Sequence, residues 1–316
     1  MWKYILKRLL MMVFVVLGVA IVIFSIMYFV PGNPAEIILG ATATDEQIAA
    51  MEHELGLDKP YLAQLGDYLV NTFLRGDLGR SYQSKISVAQ ELMTMFPRTL
   101  IIAACSIVLT ALIGIPLGII AATHQGKWPD YAAVVLSLVG ISIPGFWLAL
   151  MLVNWLSAGL KILPLYGITG APFADWQYYV IPVISNSVVG ISMIARQCRV
   201  DVLEVIRADY VTTARAKGVS NHNTTFKHIM PNALIPLITS LGSTFATSLG
   251  GTVVTESIFV IPGIGLYMTN AIGRLDYPAV RGGVVMLAVA FSFVMLAVDL
   301  IYAFVDPRIK AQYEGK

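Results

Sequence analysis

Asp209-Tyr210-Val211-Thr212-Thr213-Ala214-Arg215-Ala216-Lys217-Gly218, continued by Val219 to Lys227 and by His228-Ile229-Met230-Pro231, is the centre of a hydrophilic interruption (199–231) in an otherwise apolar second half. Ala, Arg and Lys favour helix before Gly218, and glycine just past a helix C-terminus takes the left-handed conformation without a Cβ penalty. The first short helix therefore stops at Gly218. Ser220 or Asn221 caps a second short helix, which is expected to end before Pro231, because the residue preceding a proline is pushed out of the α region. The stretch reads as helix, sharp turn, helix, lying outside a bilayer that the flanking sequence enters on both sides.

Composition supports the bilayer. The 316 residues are 57% hydrophobic and only 13% charged, where a soluble domain carries about 25% charged residues. With a mean hydropathy of +0.75, the chain reads as an integral membrane protein. Its two cysteines, Cys105 and Cys198, fall in or beside different membrane helices, which argues against a disulfide framework.

Six apolar runs are long enough to span: 9–30, 100–122, 131–158, 179–195, 234–259 and 282–304. The first lacks the short apolar core and small-residue cleavage site of a signal peptide, so it reads as a retained span. It ends at Val30-Pro31-Gly32-Asn33-Pro34. Pro116, Pro144, Pro182 and Pro236 fall inside later runs, where they mark kinks. Residues 35–98 are globular and acidic in composition. Thr44 with Gln47 makes a capping box ahead of an Ile48, Met51, Leu55 stripe ending at Gly56. Pro60 opens a helix to Leu74, and Ser87 with Gln90 caps a third, giving a small lobe of three short helices. Trp176, Tyr178 and Tyr179, with Tyr166, suit an interfacial belt.

Charge orients the spans. With a cytoplasmic N-terminus, alternation puts Lys3, Lys7, Arg8, Lys127, Arg199, Arg207, Arg215, Lys217, Lys227, Arg308, Lys310 and Lys316 inside. Lys161, Arg274 and Arg281 stay outside with the acidic lobe, which satisfies the positive-inside rule with both termini cytoplasmic.

The spacing of Ala214, Gly218 and Pro231 resembles the signature loop of importer-type ABC permeases, Glu-Ala-Ala, three residues, Gly, nine residues, Ile-x-Leu-Pro. Thr212, Thr213, His228 and Met230 depart from it, and the Ala-Arg-Ala-Lys-Gly run resembles the version in dipeptide, oligopeptide and nickel permeases. Further similar segments are Phe96-Pro97-Arg98-Thr99-Leu100, Ser142-Ile143-Pro144-Gly145-Phe146-Trp147, Thr255-Glu256-Ser257-Ile258-Phe259, Pro262-Gly263-Ile264-Gly265, Arg274-Leu275-Asp276-Tyr277-Pro278 and Asp306-Pro307-Arg308-Ile309. The long loop after the first span resembles the B-type subunit rather than its C-type partner.

The resemblance implies an all-α, six-helix type I ABC importer permease fold (MetI-like) in a prokaryotic cell membrane. It divides the chain into an N-terminal tip and first helix (1–34), an external lobe (35–95), a transport core (96–304) and a cytoplasmic tail (305–316). It implies that Asp209, Tyr210, Ala214, Arg215, Ala216, Lys217, Gly218 and Pro231 couple the chain to its ATPase. The implied partners are a second, C-type permease, two cytoplasmic ATPase subunits, an external binding protein delivering peptide, and membrane lipid, with no nucleic acid. ATP and Mg would sit on the ATPases, leaving this chain without a cofactor.

The residues themselves offer little chemistry. No Gly-x-x-x-x-Gly-Lys-Ser/Thr run is present, so ATP must be hydrolysed elsewhere. His53, His124, His222 and His228 are scattered without metal-ligand spacing and read as solvated loop residues. Glu256 and Asp299 are the carboxylates within spans, and acids there are functional candidates. Glu256 either serves the structure, accepting backbone N–H groups or pairing with Arg274 or Arg281, or lines the path; Asp299 suits a hydrogen bond inside the bundle. A transport permease for peptide, for nickel or for another small solute competes with a membrane-embedded enzyme or channel. The enzyme lacks a nucleophile or metal cluster, and the channel has no use for the docking loop.

Overall fold

The computed structural model describes residues 2–40, 42–165 and 175–305, and side chains within 5–302 of that set. The predicted tail motif Asp306-Pro307-Arg308-Ile309, Lys310, Lys316 and the belt residue Tyr166 lie outside the described residues, as do the side chains of Trp2, Lys3 and Tyr4. The described chain is helical nearly throughout and holds no strand, only an isolated antiparallel bridge between Arg80 and Ser87.

In chain order the helices are α1 (Trp2–Phe29), α2 (Pro34–Leu39), α3 (Asp45–Leu55), α4 (Tyr61–Leu69), α5 (Val88–Thr123), α6 (Trp128–Ser142), α7 (Gly145–Leu152) and α8 (Val180–Ile206). They continue with α9 (Asp209–Ala216), α10 (Asn221–Asn223), α11 (Met230–Phe259), α12 (Ile264–Gly273) and α13 (Tyr277–Val305). Five helical stretches are long and apolar enough to cross a membrane, and the bent pair α6–α7 makes a sixth if taken as one span. One end of the bundle carries the lobe and α12, the other the loop built on α9.

The lobe forms much as its sequence dictates. Thr44 and Gln47 close the capping box at the start of α3, and Gly56 ends it in the left-handed conformation with φ 67°. Pro60 precedes α4, which passes into a π-turn at Val70–Leu74. The third lobe helix is corrected: Ser87 makes no side-chain cap, and the helix it precedes is α5 itself, continuous through Pro97 and Pro116 for 36 residues. At 1.5 Å per residue that is about 54 Å, so lobe and bundle share one rod.

The kink expected at Pro144 in the third span is a sharp break. Ile143 takes extended angles ahead of Pro144, and α6 and α7 meet at 95°. Proline excludes the α conformation from the residue before it, so the turn is written at Ile143-Pro144. The aromatic belt is also revised: Trp176 is exposed, but Tyr179 is buried in a cluster with Ile102, Ala149 and Phe259.

Close packing centres on α5 and α8. A Cβ on Gly118 would lie 2.6 Å from the Ala195 carbonyl and 2.5 Å from Cys198 Cβ, so the two backbones touch there and only glycine fits. Around them α11 packs on α5, α8 and α13, and α1 lies along α13. At the loop end, Ala122, Cys198, Val202, Val211, Ile229 and Leu237 form one buried cluster joining α5, α8, α9 and α11.

Candidate functional site

Three places bring the sequence candidates into contact with the rest of the chain. The first is the loop. α9 ends at Ala216, Lys217 follows as its C-cap and Gly218 reverses the chain at φ 83°; Ser220 Oγ accepts from the Asn223 N–H at 3.4 Å and caps α10. The second helix does not stop before Pro231, as its sequence suggested. It passes through a π-turn at Thr224–Ile229 straight into α11, with Pro231 in the first turn of that helix. The wider π spiral relieves the clash of the proline ring with the carbonyl four residues back, and the missing N–H costs nothing there.

α9 has two faces. Val211 and Ala214 are buried, while Asp209, Tyr210, Arg215, Ala216, Lys217, Gly218 and, beyond the turn, Pro231 are exposed. Ala214 therefore packs against the protein's own core. Tyr210 ties the two arms together: its hydroxyl donates to the His228 carbonyl at 3.4 Å and accepts from Asn232 Nδ2 at 2.9 Å. Beside the loop lies a cavity of about 710 Å3 whose lining includes His124, Arg215 and His222. The fold thus gathers two histidines that are far apart in sequence, although no group of three potential metal ligands occurs among the described residues.

The second place is the lobe end of α11. Gly263 begins α12 without a side chain to cap it, leaving the first N–H groups of that helix without partners of their own. Glu256 supplies the acceptors. Its Oε2 accepts from the N–H groups of Gly265 at 2.7 Å and Leu266 at 3.1 Å, and Oε1 accepts from the Thr99 hydroxyl at 2.7 Å. Thr99 Oγ1 in turn accepts from the Ile264 N–H at 2.9 Å. Glu256 and Thr99 are both fully buried. A carboxylate at a helix N-terminus also meets the positive end of its dipole. A Cβ on Gly263 would overlap the Glu256 carboxylate, and one on Gly265 would come within 2.9 Å of it, which explains both glycines. Three separated sequence motifs are thus one structure, the seat of α12. Neither Arg274 nor Arg281 pairs with Glu256.

Other ties went unseen in the sequence. Asp276 accepts from the Ser81 hydroxyl at 2.5 Å and the Tyr82 N–H at 3.0 Å, fastening the lobe to the start of α13. Arg199 holds Asp130 with both fork nitrogens, at 2.5 and 2.9 Å, tying α8 to the first turn of α6. Tyr267 on α12 donates to Glu91 at 2.8 Å, and burial pushes its phenol above the ordinary value. Asp299 meets Arg8 of α1 at 2.9 Å, an ion pair at the edge rather than the bundle-internal hydrogen bond its sequence position suggested.

The third place is a cavity of about 470 Å3 between α7, α8 and α11. Ser185, Asn186, Ser243, Thr244, Thr247 and Ser248 line it with Phe146 and Gly251, and no charged side chain is among its lining residues. On α11, Ser243, Thr247, Gly250 and Gly251 are exposed. Small residues on an exposed helix face let another backbone approach closely, so this face suits a neighbouring helix or a solute.

Residues 114–311 match the family described as binding-protein-dependent transport system inner membrane component, and residues 1–103 match the N-terminal family of the same membrane components. The dipeptide transport system permease protein DppB of Alkalihalophilus pseudofirmus is 37% identical, over 98% of this chain and 100% of its own. The glutathione transport system permease protein GsiC of Salmonella choleraesuis is 36% identical over 98% and 99%, and the probable D,D-dipeptide permease DdpB of Escherichia coli K12 is 36% identical over 98% and 97%. An inward-facing MetNI methionine ABC transporter chain superposes with a TM-score of 0.56 at 19% identity, over 69% of this chain and 97% of that one, a likeness of fold. The chain belongs to the inner membrane components of binding-protein-dependent transport systems.

Proposed function

We propose that this chain is one half of the membrane path of an ATP-driven importer for small peptides. It has no ATPase site of its own. The uncharged cavity between α7, α8 and α11 carries the reading, because its serine, threonine and asparagine groups, set among Phe146, Val189, Met193 and Ile258, offer hydrogen bonds to peptide groups without selecting for side-chain charge. The peptide class is supported by the relatives, whose names speak of dipeptide, D,D-dipeptide and glutathione. A second permease of similar build closes the path against α11, two cytoplasmic ATPases bind the loop around α9, and an external binding protein delivers cargo to the lobe end. Uptake of labelled dialanine by proteoliposomes containing the chain with its co-expressed partners is expected to require external binding protein and internal ATP. Uptake that proceeds without ATP would make the chain a channel.

This reading puts both termini and Gly218 in the cytoplasm and the lobe outside, in a prokaryotic cell membrane. An impermeant thiol reagent on intact cells is expected to label Glu46→Cys on α3 and to leave Gly218→Cys unlabelled. The opposite pattern overturns the orientation.

A further inference from the structure

At the lobe end, α1, the first turn of α13 and the polar loops of the lobe enclose a cavity of about 570 Å3, within the size range of small-ligand sites. Arg281 lines it. Its guanidinium carbon stands 4.2 Å from the centre of the Phe24 ring, 5.3 Å from that of Tyr277 and 5.5 Å from that of Tyr68. Aromatic faces attract the cation, but they accept none of its N–H groups in the plane where an oxyanion would. Among the described residues no side chain or carbonyl accepts from Arg281, and its Nε is buried without a partner.

One more donor at the same cavity is unmatched. The Tyr68 and Thr72 hydroxyls are buried beside each other, and a bond between them still leaves one of the two donors without an acceptor. Two orphaned donors around one cavity are unusual, since buried polar groups are nearly always paired. The carboxylates lining the cavity are engaged or remote: Asp67 meets Lys59 at 2.7 Å, Asp77 accepts from the Gly79 N–H at 2.8 Å, and Glu54 is exposed.

We propose that this cavity binds a small, singly charged carboxylate, held by the Arg281 fork with the Tyr68 and Thr72 hydroxyls. A planar carboxylate matches the guanidinium fork and fits among flat aromatic rings. Its single charge matches the lining, where Lys59, Arg80, Lys85 and Arg281 face Glu54, Asp67 and Asp77 and leave one positive charge over. A doubly charged phosphate would exceed that balance. The site lies away from the α7–α8–α11 cavity, and the inference stands whatever cargo that cavity carries.

The test uses acetate as the probe, with the full chain in phosphatidylcholine nanodiscs and binding read by saturation-transfer NMR. Acetate is expected to bind saturably, while acetamide, its neutral isostere, and inorganic phosphate at equal ionic strength are not. Arg281→Gln is expected to weaken acetate by about tenfold or more, the equivalent of one charge-assisted hydrogen bond. Tyr68→Phe keeps the aromatic cage, removes one donor, and is expected to weaken acetate by about threefold or more on the same scale. It decides the question alone if Arg281→Gln fails to fold. The proposal is overturned by non-saturable acetate, by acetamide or phosphate binding as well as acetate, or by unchanged affinity in Tyr68→Phe.

Discussion

Glu256→Ala is expected to be strongly destabilising, lowering stability by about 3–5 kcal/mol, because it strips the acceptors from three buried donors at about 1–3 kcal/mol each. The alanine leaves the N–H groups of Gly265 and Leu266 and the Thr99 hydroxyl without acceptors in a site closed to water. It also opens a void against Gly263 and Gly265, which exist to let the carboxylate in. Glu256→Gln should recover most of the loss, since one amide oxygen still accepts both N–H groups. Heating the protein in detergent and following the folded peak by size exclusion reads the difference. Equal melting of Glu256→Ala and the unaltered chain would mean that α12 is seated by something else.

Ala214→Asp is expected to abolish ATP-driven uptake while leaving the chain inserted, because it drives a carboxylate into the cluster of Val211, Ile229 and Leu237 that holds α9 to the bundle. The helix would leave its seat rather than bury the charge. Gly218→Val acts by another route. A Cβ at Gly218 meets nothing within 4 Å, so space is free, but φ is 83°, where a β-branched residue costs about 1–3 kcal/mol. Arg215→Ala, on the exposed face, should be mild, since an exposed ion pair is worth about 0–1 kcal/mol. ATP hydrolysis and dipeptide uptake by the reconstituted complex are the readouts. Normal values in both Ala214→Asp and Gly218→Val would remove the loop from the coupling mechanism.

Local chemistry was readable in the sequence wherever the partners are neighbours. The Thr44 capping box, the Gly56 terminator, the turn at Gly218 and the apolar spans depend on residues a few positions apart. The failures have the same physical origin in reverse. Pro231 forbids a regular helix before it, but a π-turn is not regular, and nothing local distinguishes the two outcomes. Ser87 looks like the cap of a short helix because its sequence does not reveal that α5 continues into the membrane. Ala214 was legible in retrospect: Val211 and Ala214 are three apart and share an apolar face. The acceptor role of Glu256 was among the readings open at that position, but its partner Thr99 lies 157 residues away and was visible only as part of a motif. Asp276, whose bond to Ser81 spans 195 residues, had no local signal beyond an aspartate placed before the first turn of a helix.

The pairing of α1 with α13 bears on how the chain comes to exist. Val16 and Ala20 are buried against Val285, and the Arg8–Asp299 ion pair fastens the opposite ends of the same two helices. α1 leaves the ribosome well before α13. Until residues 277–305 emerge, the opening span lacks the long helix it finally packs along, and Asp299 has not yet been made to meet Arg8. A polypeptide cut short just before them carries every other helix and still lacks the long face on which its first helix packs.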